Sequence, residues 1–188
     1  IAGAEHTGVH AGKVDLFANH KVILTPLPTS AAWAVDKLIQ LWQAAKAEVI
    51  CMDVEKHDEV LAHTSHLPHL MAFNLVEQLA KREDNLDIFR YAAGGFRDFS
   101  RIAASDPQMW HDIFFANKKA ILNAVDGFEA QLAIIRKLIE DEDSQALMGL
   151  LGHAQAARQH FNHMLAKKPF KEKNNVTQQF TIQPGAKK

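Results

Sequence analysis

Only one cysteine, Cys51, occurs in the 188 residues. No intrachain disulfide is available, and a reducing compartment fits that usage. Neither sign of charge prevails, since 21 Lys and Arg stand against 22 Asp and Glu for a net charge of -1. Bulk electrostatics therefore make no case for nucleic acid or a membrane surface. No apolar run approaches the roughly 18 residues that a bilayer span needs, and no signal peptide follows Ile1. Neither His-Glu-x-x-His nor Gly-x-Gly-x-x-Gly is present, so no ready-made zinc or dinucleotide motif stands in the chain. What the sequence does have is 47% hydrophobic content, enough at this length for a buried core. Because it opens on Ile1 and not Met, it reads as a piece of something longer.

Four histidines, His57, His63, His66 and His69, fall within one short stretch. The stretch predicts a helix with Val60, Leu61 and Thr64 on an apolar stripe and Asp53 upstream as its cap. Pro68 then removes the bond back to residue 64, so the helix kinks or restarts and aims Ser65 and His69 into the space this opens. Three readings compete. The histidines are ordinary surface residues. Or His63, His66 and His69 bind a metal, although their spacing spreads ligands over about 300° of helix. Or Ser65 and His69 hold an anionic substrate.

Around that stretch the elements follow in order. Residues 1–20 are loop-like, with Glu5 among Gly3, Gly8 and Gly12. Lys21 to Thr25 is β-branched and stopped by Pro26 and Pro28, which predicts a strand. Ser30 is the expected cap of a helix over 31–46, and Glu48 to Met52 predicts a second strand. Strand, helix and strand make a βαβ unit. Two parallel strands do not stand alone, so this segment reads as the orphaned edge of a larger α/β domain. Beyond Asp53 only helices are expected. One resumes after Pro68 and runs to about Lys81. A short one, Leu86 to Ala93, ends at Gly94-Gly95. In the next stretch Arg97 and Arg101 share one side and either face solvent or offer a planar fork to a carboxylate. Asp106-Pro107 starts a helix expected to reach Glu140, about 50 Å away at 1.5 Å per residue. Its long apolar stripe asks for a helix–helix dimer interface. A last helix runs from about Ser144 to Ala166, and the lysine-rich remainder reads as a linker or tail.

Several of these stretches resemble a known family when taken in series. They are Ile1-Ala2-Gly3-Ala4-Glu5, Val22 to Pro26, Ser65-His66-Leu67-Pro68-His69, Gly94-Gly95-Phe96-Arg97-Asp98-Phe99-Ser100-Arg101-Ile102-Ala103 and Ser105 to Trp110. In order and spacing they resemble the C-terminal part of the prephenate dehydrogenase (cyclohexadienyl dehydrogenase) family, over residues 1 to about 165. The resemblance implies a mainly α chain, a helical dimerisation domain preceded by a βαβ remnant of the Rossmann domain. Residues 1–52 would be the edge of the NAD-binding domain, 53–166 the helical substrate-binding and dimerisation domain, and 167–188 a linker.

The implied activity is NAD-dependent oxidation of prephenate to 4-hydroxyphenylpyruvate, with loss of CO2, in the cytoplasmic synthesis of tyrosine. Hydride leaves the ring, a histidine takes the proton of the 4-hydroxyl, and aromatisation drives decarboxylation. By position, Arg101 is similar to the arginine that grips a substrate carboxylate, and His69 to the family's second active-site histidine. Ser65, Gly94, Gly95 and Trp110 would line the same pocket, while Glu5 and Asp98 would join Arg101 in an ionic network at its mouth. Prephenate or arogenate would be substrate, L-tyrosine an inhibitor at the same pocket, and no metal is implied. The family's general-base histidine lies in a His-Pro pair directly ahead of Ile1, and its Gly-rich loop has no counterpart. The chain alone is therefore expected neither to bind NAD well nor to turn over. Gln179 to Gly185 resembles the opening of the EPSP synthase domain that follows this dehydrogenase in some bacterial fusions. A rival from another class is a non-catalytic helical module for dimerisation or tyrosine sensing.

Overall fold

The structure is a computed structural model that describes residues 12, 13 and 15–167, with the side chains of 85 and 163–167 set aside. Glu5 and the 179–185 stretch fall outside the described residues. The first strand, β1 (Lys21–Leu24), runs parallel to β2 (Glu48–Cys51), with Lys21 opposite Glu48 and Leu24 opposite Cys51. Helix α1 (Ala32–Ala44) makes the crossover between them. The expected βαβ order is therefore present. Ser30 does not cap α1: the capping position is Ala31, with no side-chain bond, and the Ser30 hydroxyl instead accepts from the Leu27 N–H at 3.0 Å. The two prolines explain this, because they fold residues 26–30 into a turn that uses the serine before the helix begins. At its other end α1 closes on Lys46, whose φ of 61° is the left-handed conformation common at helix C-termini. The Ala47 N–H then reaches back to the Trp42 carbonyl at 3.0 Å.

Asp53 caps α2 (Val54–Leu61), accepting from the Lys56 N–H at 2.8 Å, as its position predicts. The interruption expected at Pro68 takes the form of a π-turn, Ala62–His66, ahead of it. The Leu67 N–H bonds to the Ala62 carbonyl, five residues back. Helix α3 (Leu67–Ala80) then continues with Pro68 in its first turn. A proline has no N–H to give, and widening the preceding turn by one residue lets the helix pass it without a break.

After α4 (Asn85–Arg90) the structure departs from expectation. Gly94 and Gly95 do not end that helix but open α5 (Gly94–Ser100), with Ala93 at the cap. The last turn of α4 already closes at Tyr91, so the glycines lie beyond it. A 3-10 turn, Arg101–Ala104, follows. The single long helix expected over 107–140 is also two helices, α6 (Pro107–Ala116) and α7 (Lys118–Glu140), parted at Asn117 with φ −107° and ψ 33°. Asn117 leaves helical geometry because its side chain is engaged across the fold, at the Asp58 carbonyl.

The chain divides into two compact units, one up to Ala130 and one from Gln131. In the first, the centre is a small cluster of Ala62, Ile121 and Ala124, flanked by Leu67, Phe114, Ala120 and Val125. Ala62 is fully buried, and an alanine on each side, Ala62 and Ala124, lets the π-turn approach α7 closely. The second unit holds the end of α7 and α8 (Ser144–Lys167), joined by a turn in which Glu142 has φ 52° and Asp143 accepts from the Ala146 N–H at 2.9 Å.

Candidate functional site

Helix α3 presents His69 in its first turn, half-buried, with Nδ1 2.8 Å from the Ser65 carbonyl. A carbonyl can only accept, so Nδ1 carries the hydrogen and the neutral ring keeps an open lone pair on Nε2. The His69 ring lies on the Trp110 indole, centroids 3.7 Å apart and planes 20° from parallel. Trp110 is held by α6, which Asp106 starts by accepting from the Met109 N–H at 2.9 Å, with Pro107 at the first helical position. The indole is 5% exposed, with Phe114 at 5.5 Å on one side and His66 edge-on at 6.2 Å on another. Its Nε1 is buried without a hydrogen-bond partner among the described residues. An unpaired buried donor is costly and is found where a ligand or strain accounts for it.

His66 is the second imidazole of the π-turn and is itself buried. Its Nδ1 stands 3.2 Å from Asn117 Nδ2, which also donates to the Asp58 carbonyl at 2.8 Å. Burial pushes the His66 pKa below the usual imidazole value. His57 and His69 lower it further, against an opposing pull from Asp58. His57 is half-buried and its Nδ1 lies 2.9 Å from Asp58 Oδ1, while His63 is exposed. The imidazoles thus have separate partners. Among the described residues no group of three His, Cys, Asp or Glu side chains is placed to hold a metal ion.

The structure brings Ser65, His69 and Trp110 into direct contact. Gly94, Gly95, Asp98 and Arg101 are exposed, on α5 and the 3-10 turn, and both of those elements pack against α3. Open space lies above Gly94 and Gly95, where an added Cβ would meet nothing within 4 Å. Glu5 lies outside the described residues. Sequence reasoning missed Asn117. Its signal was a polar residue on the apolar stripe, one helical turn from Ile113 and from Ile121.

A nicotinamide dinucleotide would need a Gly-rich turn between a strand and the following helix. The β1–α1 connection, residues 25–31, contains two prolines and no glycine. The described residues therefore do not supply a pyrophosphate cradle.

The parallel strand pair followed by a helical unit with an imidazole–indole site defines the edge of a nucleotide-binding fold joined to a helical ligand domain. The chain belongs to the prephenate dehydrogenase family: residues 53–153 match the family model of the prephenate dehydrogenase dimerization domain, and residues 1–51 that of its nucleotide-binding domain. It is 39% identical over 160 residues to a cyclohexadienyl dehydrogenase of Zymomonas mobilis, covering 84% of this chain and 55% of that protein. It is 40% identical over 148 residues to a prephenate dehydrogenase of Bacillus subtilis, covering 78% of this chain and 40% of that protein. A solved prephenate dehydrogenase of Aquifex aeolicus, in complex with hydroxyphenyl propionate and NAD+, superposes with a TM-score of 0.80 at 38% identity, covering 86% of this chain and 57% of that chain. The chain spans about half the length of the curated relatives it matches.

Proposed function

We propose that this chain is the substrate-binding and dimerising part of an NAD-dependent prephenate dehydrogenase. The whole protein would oxidise prephenate to 4-hydroxyphenylpyruvate with loss of CO2, in tyrosine synthesis in the cytoplasm. The observation that carries the reading is the His69–Trp110 stack, held from below by the Ser65 carbonyl. Two flat rings form a wall for a six-membered ring, and His69 Nε2 is left to accept a proton from a ligand or, once protonated, to face an anion. Arg101 offers a planar fork to a carboxylate, Gly94 and Gly95 leave room beside it, and Asp98, with Glu5, would hold the arginine's orientation. The Aquifex aeolicus relative was solved with hydroxyphenyl propionate, an acid with one aromatic ring and one carboxylate. That is the chemistry such a site suits, and prephenate, arogenate and L-tyrosine share it. NAD would supply the redox chemistry, held by the whole protein and not by this chain alone.

The domain limits 1–52, 53–166 and 167–188 belong to the same proposal. So does a homodimer through the helical part. Leu132, Ile134 and Ile139 on α7 and Met148, Leu151 and Phe161 on α8 are exposed apolar residues in support of it. No helix among the described residues is long and apolar enough to cross a membrane. The EPSP synthase resemblance of residues 179–185 would make the longer protein bifunctional.

Calorimetric titration of the chain with hydroxyphenyl propionate and L-tyrosine, beside Arg101→Ala, tests the site. We expect binding that weakens at least about tenfold in the variant, which corresponds to about 1.4 kcal/mol. Equal affinity in both proteins would remove Arg101 from the site. Binding of L-tyrosine alone would favour the sensing module.

A further inference from the structure

The two imidazoles of the π-turn region are set in opposite ways. Asn117 Nδ2 lies 2.8 Å from the Asp58 carbonyl and 3.2 Å from His66 Nδ1. The carbonyl accepts only, so the amide nitrogen faces it, and its two hydrogens serve both neighbours. His66 Nδ1 must then be bare, with the ring proton on Nε2. The reverse arrangement would oppose two donors in a site only 8% exposed. Protonating His66 would break this bond. His69 is the contrary case: its Nδ1 already gives a hydrogen to the Ser65 carbonyl, and Nε2 can take a proton with no bond lost. The groups that bear on His66 are His57 and Asp58 of α2 and His69 of α3. Trp110 links the rings, edge-on to His66 and stacked on His69.

We propose that Asn117 is a positioning residue: by holding His66 as the neutral Nε2–H tautomer, it directs protonation at this site to His69. Two imidazoles against one indole cannot both be charged cheaply, because each cation disfavours the other. The amide decides which one yields. A ligand carboxylate arriving beside His69 would then meet a cation there, with no competing charge behind the indole. The ligand consequence rests on the proposed function. The tautomer assignment does not.

The test is imidazole nitrogen–proton correlation NMR on the ligand-free 188-residue chain, over about pH 5 to 8, where an ordinary histidine titrates. We expect His66 as Nε2–H throughout and His69 as Nδ1–H, with His69 titrating. In Asn117→Asp, which keeps the shape but turns the donor into an acceptor, His66 should gain a proton on Nδ1. In Asn117→Ala, His66 should begin to titrate and the His69 midpoint should fall. In His66→Gln, whose side-chain oxygen can accept from Asn117, His69 should titrate as in the parent chain. A merely structural role would lower the melting temperature without moving the His66 tautomer. Nδ1–H on His66 in the parent chain overturns the proposal, as does an unchanged His66 in Asn117→Asp. If the tautomers are as expected but hydroxyphenyl propionate fails to bind, the functional reading falls and the Asn117 assignment stands.

Discussion

His69 and Trp110 stack face to face, ring centroids 3.7 Å apart and planes 20° from parallel, although one belongs to α3 and the other to α6. The pair ties those two helices together at the point where the proposed ligand would sit. Such an aromatic contact adds about 0.5–1.5 kcal/mol beyond the area it buries.

Truncating the indole should therefore be severe. Trp110→Ala is expected to cost about 3–5 kcal/mol, the usual range for emptying a buried tryptophan site. Trp110→Phe should cost less than half as much. It keeps a ring on His69 and deletes an N–H that is buried without a partner. Urea denaturation of the two variants measures both. Equal losses would mean that the indole N–H is satisfied in solution.

Ala62 is fully buried against Ile121 and Ala124. Ala62→Leu inserts three carbons where the π-turn and α7 meet, and overpacking of that kind costs about 1–3 kcal/mol. The same change should disturb His66 and His69, which flank it on the same wide turn. Near-parental stability in thermal melts would show that this contact is looser than drawn.

Asp106 carries the start of the helix that holds Trp110. Asp106→Ala should lose about 1 kcal/mol, whereas Asp106→Asn should be nearly silent, since either side chain accepts from the Met109 N–H. Comparable losses in both would point to charge and not to the capping bond.

His66 makes stability depend on pH. Burial, the first cause, and then His57 depress its folded-state pKa below 6.5. Between the depressed value and 6.5 the unfolded chain binds more protons, so stability rises with pH there. The contribution is complete above about 6.5 and is lost as pH falls towards the folded value. His66→Gln should flatten that part of the profile. Denaturation midpoints at a series of pH values would show it, and an unchanged acid limb would assign the loss to other groups.

The fold was legible where local chemistry decides it. Pro26 and Pro28 stop β1, Asp53 and Asp106 cap helices, and alternation with helical spacing marks the βαβ edge. The resemblance pointed to Ser65, His69 and Trp110, and these meet in space. What sequence could not reveal was set by contacts between distant segments. The split at Asn117 depends on an acceptor in α2, and the burial of His66 depends on the same bond. Gly94 and Gly95 misled because glycine is found at both kinds of helix end. Only the earlier closure of α4 at Tyr91 makes them an opening. Pro68 announced an interruption but not its type, since a kink and a widened turn satisfy the missing N–H equally well on paper.

The π-turn gives α3 a frame, in the sense that a gene has one. One extra residue between Ala62 and His66 sets the angular phase of everything after it. Removing a single residue there would restore an ordinary α-helix and keep nearly all of the composition. It would also turn the His69 ring by about 100° around the helix axis, away from Trp110. At this point the number of residues matters as much as their identity, and a one-residue deletion would be felt as a frameshift in space.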